Sequence, residues 1–167
     1  FPKTNLPLNI FEQRYLDLVN DAYFKNKLMG MVQSKNEGGI VYDVGCLGKI
    51  SDYQKSKDGR ILINLTGITR FEVIEEKESS KLYRQFRVDY KRFVGDLTKK
   101  DKEEISTNSL FEKIKIFFNR SGLLLNWREF EKLDITQKIN TLSMIAPVTN
   151  EEKQKLLESI SLNEKAM

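Results

Sequence analysis

The chain contains no histidine and a single cysteine, Cys46. The first absence excludes Ser-His and Cys-His catalysis and every histidine-ligated metal site. The second excludes an internal disulfide and a cysteine-cluster zinc site, and it suits a reducing, cytoplasmic setting. Apolar runs are short, Leu123-Leu124-Leu125 for one, and none approaches the ~18 residues of a membrane-spanning helix. The opening Phe1-Pro2-Lys3-Thr4 lacks a basic patch followed by an apolar stretch, so no signal peptide is expected. It also lacks an initiator methionine, and the expectation is of a fragment missing some N-terminal residues. Neither sign of charge dominates. The 28 Lys+Arg and 24 Asp+Glu leave +4, interspersed, which permits nucleic-acid binding without arguing for it.

What is there is a chain of 167 residues, 40% hydrophobic and 31% charged, long enough for one packed domain with a helical extension. Its two parts differ in period. Residues 28–94 read as strands and turns, and residues 100–165 as helices. The first helix is expected from Asn9 to Lys25, with Asn9 as N-cap and Glu12 reaching back to it. Phe11, Tyr15, Leu18, Val19 and Ala22 form its apolar stripe. Before it, Leu6-Pro7-Leu8 must be extended, because proline fixes its own φ and restricts its predecessor.

Strands are expected at Leu28–Val32, at Tyr42–Ile50, along Ile61–Val73 and at Phe86–Tyr90. Lys57-Asp58-Gly59-Arg60 is a hairpin signal, and Gly67 inside the long strand marks a bulge or a close backbone approach. Glu75–Lys81 reads as a turn. Gly95–Glu104 reads as a solvated linker. Helices follow with stripes at Ile105–Phe118, Trp127–Leu133 and Ile139–Ile145. The last helix carries Leu156, Leu157 and Ile160. Asp134 with Gln137, and Thr149 with Glu152, are capping boxes. The pattern predicts an α+β fold: a small antiparallel β-barrel or sandwich with one helix, then a small helical bundle.

The stretch Leu6-Pro7-Leu8-Asn9-Ile10-Phe11-Glu12-Gln13-Arg14-Tyr15 resembles the opening of the Lon protease amino-terminal domain family, with Gln13 where that family usually has proline. The resemblance continues in family order through Leu28–Gln33, Tyr42–Ile50, Asn64–Phe71, Ile145-Ala146-Pro147 and Glu152–Glu158. It covers most of the chain and resembles the short, free-standing members. It implies a PUA-like β-rich part over residues 1–95, an α-helical part over 96–167, and a further strand just before Phe1. It also implies a non-catalytic module that recognises unfolded or exposed apolar polypeptide segments in protein quality control. A groove between the β-part and the helices would supply apolar contact, and open strand edges would supply main-chain hydrogen bonds.

No nucleotide site or protease nucleophile accompanies it. Gly45-Cys46-Leu47-Gly48-Lys49-Ile50 has the wrong spacing for a phosphate loop and no hydroxyl for Mg²⁺. Lys57-Asp58-Gly59 shares three letters with the Lon proteolytic motif but has no serine in the required position. No cofactor, metal or membrane partner is expected, and oligomeric state is left open.

The expected polypeptide-binding surface surrounds Glu12, Arg14, Tyr42 and Arg70. Each has a plainer reading beside it: Glu12 as a helix cap, Arg14 in a local ion pair, Arg70 packing its stem and pairing with a carboxylate. Cys46 and the Trp127/Phe130 pair read as core. The alternative function is RNA binding by a PUA-like module through the basic strand 81–92. There Arg84, Arg87, Lys91 and Arg92 alternate with Tyr83, Phe86 and Tyr90. It is the weaker reading because Phe86, Val88 and Tyr90 are expected to point inward together, where no base can stack.

Overall fold

The computed structural model describes residues 1–36, 38–98, 108–120, 122, 124–161 and 164–165. The sheet is built on one long hairpin, β3 (Val44–Lys55) and β4 (Ile61–Lys77). Its turn falls at the expected Asp58-Gly59, where Gly59 takes φ +88, a region open to glycine and strained for other residues. β1 (Asn5–Ile10) lies antiparallel on the first half of β4, and β5 (Gln85–Asp89) on its second half. β2 (Leu28–Met31) closes the far side of β3. The result is a five-stranded antiparallel sheet of order β1-β4-β3-β2, with β5 pairing β4.

Helix α1 (Gln13–Tyr23) covers one face. It starts later than the capping motif suggests. Asn9 and Ile10 pair with Leu62 and Ile61, so the sheet ladder claims them and Glu12 becomes the N-cap residue. The Glu12 side chain makes no cap bond and pairs with Arg14 instead. Phe11 therefore leaves the apolar stripe, while Val19 and Ala22 stay in it. They join Ile10, Met29, Ile50, Ile61, Ile63 and Leu65 in the main core.

β4 runs on to Lys77, through the expected turn at Glu75–Lys81, because Glu75 and Glu76 find cross-strand partners on β5. Ile61, Ile63, Leu65, Thr69 and Phe71 along it are buried, as the alternation predicts. A register shift at Leu47/Gly48 falls opposite Gly67. At Gly67 the N-terminal segment also passes against the strand: Lys3 N–H donates to the Gly67 carbonyl and Gly67 N–H to that of Thr4, both at 2.9 Å. A methyl group on Gly67 would collide with the Phe1 carbonyl.

After β5 comes a 3₁₀ segment, Lys91–Leu97, where the sequence suggested linker; the boundary expected at residues 95/96 falls inside it. The expected linker's remainder, with Glu103 and Glu104, lies outside the described residues. Helices α2 (Asn108–Arg120), α3 (Trp127–Glu131) and α4 (Ile135–Ile145) enclose a second core of Phe118, Phe130 and Leu142, with Trp127 against it. Helix α5 (Asn150–Glu158) ends the main framework. Both capping boxes form, Asp134 with Gln137 and Thr149 with Glu152. The face α5 buries is not the expected one. Ile160 lies beyond the helix and is 62% exposed, whereas Gln154 is buried and donates to the Val44 carbonyl at 3.0 Å. No helix of the described residues is long and apolar enough to cross a membrane.

Arg70 joins these parts. It projects from β4, on the face opposite Thr69 and Phe71, and only 6% of its side chain is exposed. Its Nε and Nη2 donate to the two carboxylate oxygens of Asp96 at 2.9 and 2.8 Å. Its own backbone N–H donates to Asp96 as well, at 2.9 Å. Nη1 donates to the carbonyls of Leu157 and Ser159 at the end of α5. The guanidinium lies over the Phe93 ring, 4.3 Å from its centroid.

Two substitutions test this framework by thermal unfolding. Gly67→Ala forces the N-terminal segment off β4, and overpacking of this kind costs about 1–3 kcal/mol, so the midpoint falls by several degrees. Asp96→Ala leaves the buried guanidinium uncompensated at a cost of about 3–5 kcal/mol. Arg70→Met together with Asp96→Leu removes both charges, and the double variant is expected to unfold well above the single one.

Candidate functional site

The four residues expected at one surface lie at two ends of the sheet. Glu12 and Arg14 stand at the start of α1, beside the hairpin end where Lys55 pairs with Ile61. Tyr42 stands just before the end where Val44 pairs with Glu72. At about 3.3 Å per residue, Val44 to Lys55 is roughly 35 Å of strand. Tyr42 is half-buried, with the Lys35 ammonium 5.4 Å from its ring centroid. Arg70 is interior, with the partners given above, and faces solvent only through a small pocket.

Glu12 and Arg14 remain together. Arg14 Nη2 lies 3.0 Å from Glu12 Oε2, and both side chains are about half exposed. The Arg14 guanidinium also lies over the Tyr15 ring, 4.6 Å from its centroid. Next to them a cleft of about 540 Å³ opens between α1 and the β3–β4 hairpin. Phe11, Leu16 and Ile61 supply its apolar part, and Gln13, Asn20, Lys55 and Arg60 its polar part. Phe11 is 65% exposed, a large apolar group held in water by its position between a strand end and a helix start. Sequence reading missed it because the Asn9 capping pattern put Phe11 on the buried stripe. Further along α1, Tyr23 stacks on Tyr53 at 4.2 Å, and Tyr53 Oη donates to Asn20 at 3.1 Å.

The groove between the β-part and the helices is mixed: Pro2, Phe93 and Ile160 line it beside charged and polar side chains. It is a pocket of about 310 Å³ lined by Lys3, Arg70, Arg92, Asp96, Asn140 and Lys165 among others. The sequence offered no signal for Asp96 or Lys165, whose partners are distant in the chain.

The basic strand is neutralised across the sheet. Arg84 Nε donates to Glu76 at 2.6 Å, Arg87 lies 3.2 Å from Glu75, Arg92 2.9 Å from Glu72, and Lys91 3.7 Å from Asp89. Hydrogen bonding to Arg84 holds the Glu76 carboxyl below its ordinary range. Phe86 and Val88 are half-buried, and Tyr90, which follows β5, is 38% exposed with its ring edge-on to Phe71. A surface meant for phosphates keeps its cations available; here each of these four has a carboxylate.

Cys46 is buried and unpaired, and burial pushes its thiol up, away from the reactive thiolate. Among the described residues no group of three or more acidic or cysteine side chains is placed to hold a metal ion. Gly45–Ile50, the phosphate-loop look-alike, lies within β3 and offers no loop.

Comparison with known proteins agrees with this geometry. The chain is 26% identical over 181 aligned residues to the Lon protease of Syntrophus aciditrophicus (strain SB), covering 99% of this chain and 22% of that protein. It thus spans about a fifth of the length of that relative. The fold matches the crystal structure of a Lon N-terminal domain protein from Xanthomonas campestris with a TM-score of 0.65 at 20% identity, covering 98% of this chain and 86% of that one. It matches the N-terminal domain of the Mycobacterium avium complex Lon protease with a TM-score of 0.65 at 13% identity, covering 99% and 87%. The pattern of the ATP-dependent protease La (LON) substrate-binding domain accounts for residues 1–167, leaving no ATPase or protease domain in the chain. The chain therefore belongs to the Lon substrate-binding domain family, a family of substrate-recognition modules.

Proposed function

We propose that this domain captures exposed apolar stretches of unfolded polypeptides, in a quality-control setting, at the cleft between α1 and the β3–β4 hairpin. The observation that carries the reading is Phe11, 65% exposed beside Leu16 and Ile61 at that cleft. An exposed aromatic is a usual anchor of a protein-binding surface. The Glu12–Arg14 pair stands on its rim and orients the approach more than it adds affinity.

Capture here is weak and tolerant of sequence, because the apolar contact is limited to Phe11 and its near neighbours within a mostly polar lining. Main-chain pairing adds to it at a sheet edge. β1 is poorly suited, since Pro7 lacks a donor and blunts that edge. The short β2, with Met31 37% exposed, is the better template. The same reading places the protein in the cytoplasm, where Cys46 stays reduced.

Fluorescence anisotropy of a labelled, chemically unfolded polypeptide measures the binding directly. Phe11→Ala is expected to raise Kd about 5- to 30-fold, the worth of an interface aromatic at about 1–2 kcal/mol. The unfolding midpoint of Phe11→Ala should stay near the parent's, since the ring is mostly in water. An unchanged Kd removes the cleft from the proposal. A labelled RNA that binds instead, and is released steeply by salt, replaces polypeptide capture with the nucleic-acid function.

A further inference from the structure

The pocket between the N-terminal segment, the 3₁₀ segment, α4 and the chain following α5 has a different character from the cleft at Phe11. Among the described residues its walls carry the cations Lys3, Arg70, Arg92 and Lys165 and the carboxylate of Asp96. Asp96 is already matched by Arg70 at 2.8 Å, and Arg92 is matched by Glu72 at 2.9 Å. Among the described residues no carboxylate pairs with Lys165. Its Nζ donates to the neutral Asn140 Oδ1 at 2.7 Å and lies 5.3 Å from the Phe1 ring centroid. Neither contact neutralises it, and an ammonium has three protons to donate. Ser161 adds a hydroxyl on the same wall; its oxygen accepts from the Glu164 N–H, which leaves its own proton to give.

We infer that this pocket is an oxyanion site, in which Lys165, supported by Ser161 and by the positive surround of Arg70 and Arg92, receives a carboxylate or phosphate group. A volume of about 310 Å³ admits such a group together with a few attached atoms. A guest anion supplies a negative charge beside a desolvated cation.

The protonation of Lys165 is consistent with this geometry. Burial, and then repulsion from Arg70, bring its ammonium down from the ordinary lysine range to about 7, against the opposing pull of Asp96 and Cys46. Among the described residues, the charged groups around it are Arg70 of β4, Asp96 and Arg92 of the 3₁₀ segment, and Lys3 and the amino group of Phe1 in the N-terminal segment; the neutral thiol of Cys46 on β3 is the other titratable group there. An entering anion favours the ammonium, so binding above pH 7 takes up a proton, and binding below it does not.

Calorimetric titration of the chain with inorganic phosphate, in two buffers of different ionisation enthalpy, reads both effects. The expected result is saturable binding with close to one proton taken up at pH 8 and little at pH 6. Lys165→Met keeps the stem and removes the charge; it is expected to weaken phosphate binding more than tenfold and abolish the proton uptake. Arg87→Gln, at the far surface, should change neither. A short peptide with a free carboxyl terminus, run beside its amidated form, identifies the source. Preference for the free carboxylate assigns the pocket to polypeptide ends, and phosphate alone assigns it to phosphorylated ligands; either supports an oxyanion site. No saturable binding of phosphate or of the free-carboxylate peptide by the parent chain overturns the inference, as does binding that Lys165→Met leaves intact. Phe11→Ala should leave phosphate binding unchanged, so failure of the cleft and failure of the pocket are separate results.

Discussion

The guanidinium of Arg70 ties the 3₁₀ segment and the end of α5 to the sheet. A buried arginine is costly unless its donors are matched, and here the partners come from three places in the chain: Asp96 of the 3₁₀ segment, and the carbonyls of Leu157 and Ser159 at the end of α5. The carbonyl contacts are favourable for a second reason. The C-terminus of a helix is its negative pole, and a cation there completes it. The pair itself contributes little net stability over an apolar substitute of the same shape. What it adds is a specified docking geometry, because no other arrangement of the helices satisfies the same donors.

That arrangement divides the sheet into unlike halves. Near Val44–Leu47 and Thr69–Phe71 both faces are covered: the side of Arg70 by the 3₁₀ segment and α5, the other by packing around Phe71. Toward the hairpin tip one face lies under α1 and the other is open and polar. There Asn5, Ser51, Asn64 and Thr66 are joined by side-chain hydrogen bonds. An exposed sheet face of this kind resists association. Phe11 and its cleft lie at the margin of α1. The oxyanion pocket lies beside Arg70, nine residues further along β4 than Ile61. Two chemically different surfaces are thus held apart on one rigid strand.

The sheet was largely legible because its signals are local. Alternation along Ile61–Phe71, the Asp58-Gly59 turn and the capping boxes at Asp134 and Thr149 each act within a few residues, and each forms. Family motifs in order then pointed to the right module. The failures have one cause. Where a local motif competed with a long-range pairing, the pairing won. Asn9 is a good cap in isolation, but its ladder partner Leu62 takes it into β1. Glu75 and Glu76 read as turn residues until Arg87 and Arg84 stand opposite them. Gln154 faces the sheet, where it donates to the Val44 carbonyl, a contact that no helical stripe announces. The candidate site was less legible still. Its four expected residues came from motifs distributed along the chain, and no spacing rule says that Tyr42 and Glu12 lie at opposite ends of β3.

Function is assigned to two positions, Phe11 and Lys165, whose side chains do little for the fold. Most charged side chains on the β-part have an opposite charge beside them. Phe11 keeps an aromatic ring in water, although a polar residue at the same strand-to-helix junction would cost the fold nothing. Lys165 holds a cation in a pocket without a carboxylate among the described residues to match it, although a methionine would fill the same space. Neither choice helps folding. Natural sequences carry such local losses where a ligand later makes them good: an apolar chain against the ring in one case, an oxyanion against the ammonium in the other. The first gain grows with apolar area and survives salt, while the second is charge-dependent and fades with it. A domain built this way can hold a polypeptide by its apolar body and sense an anionic group independently.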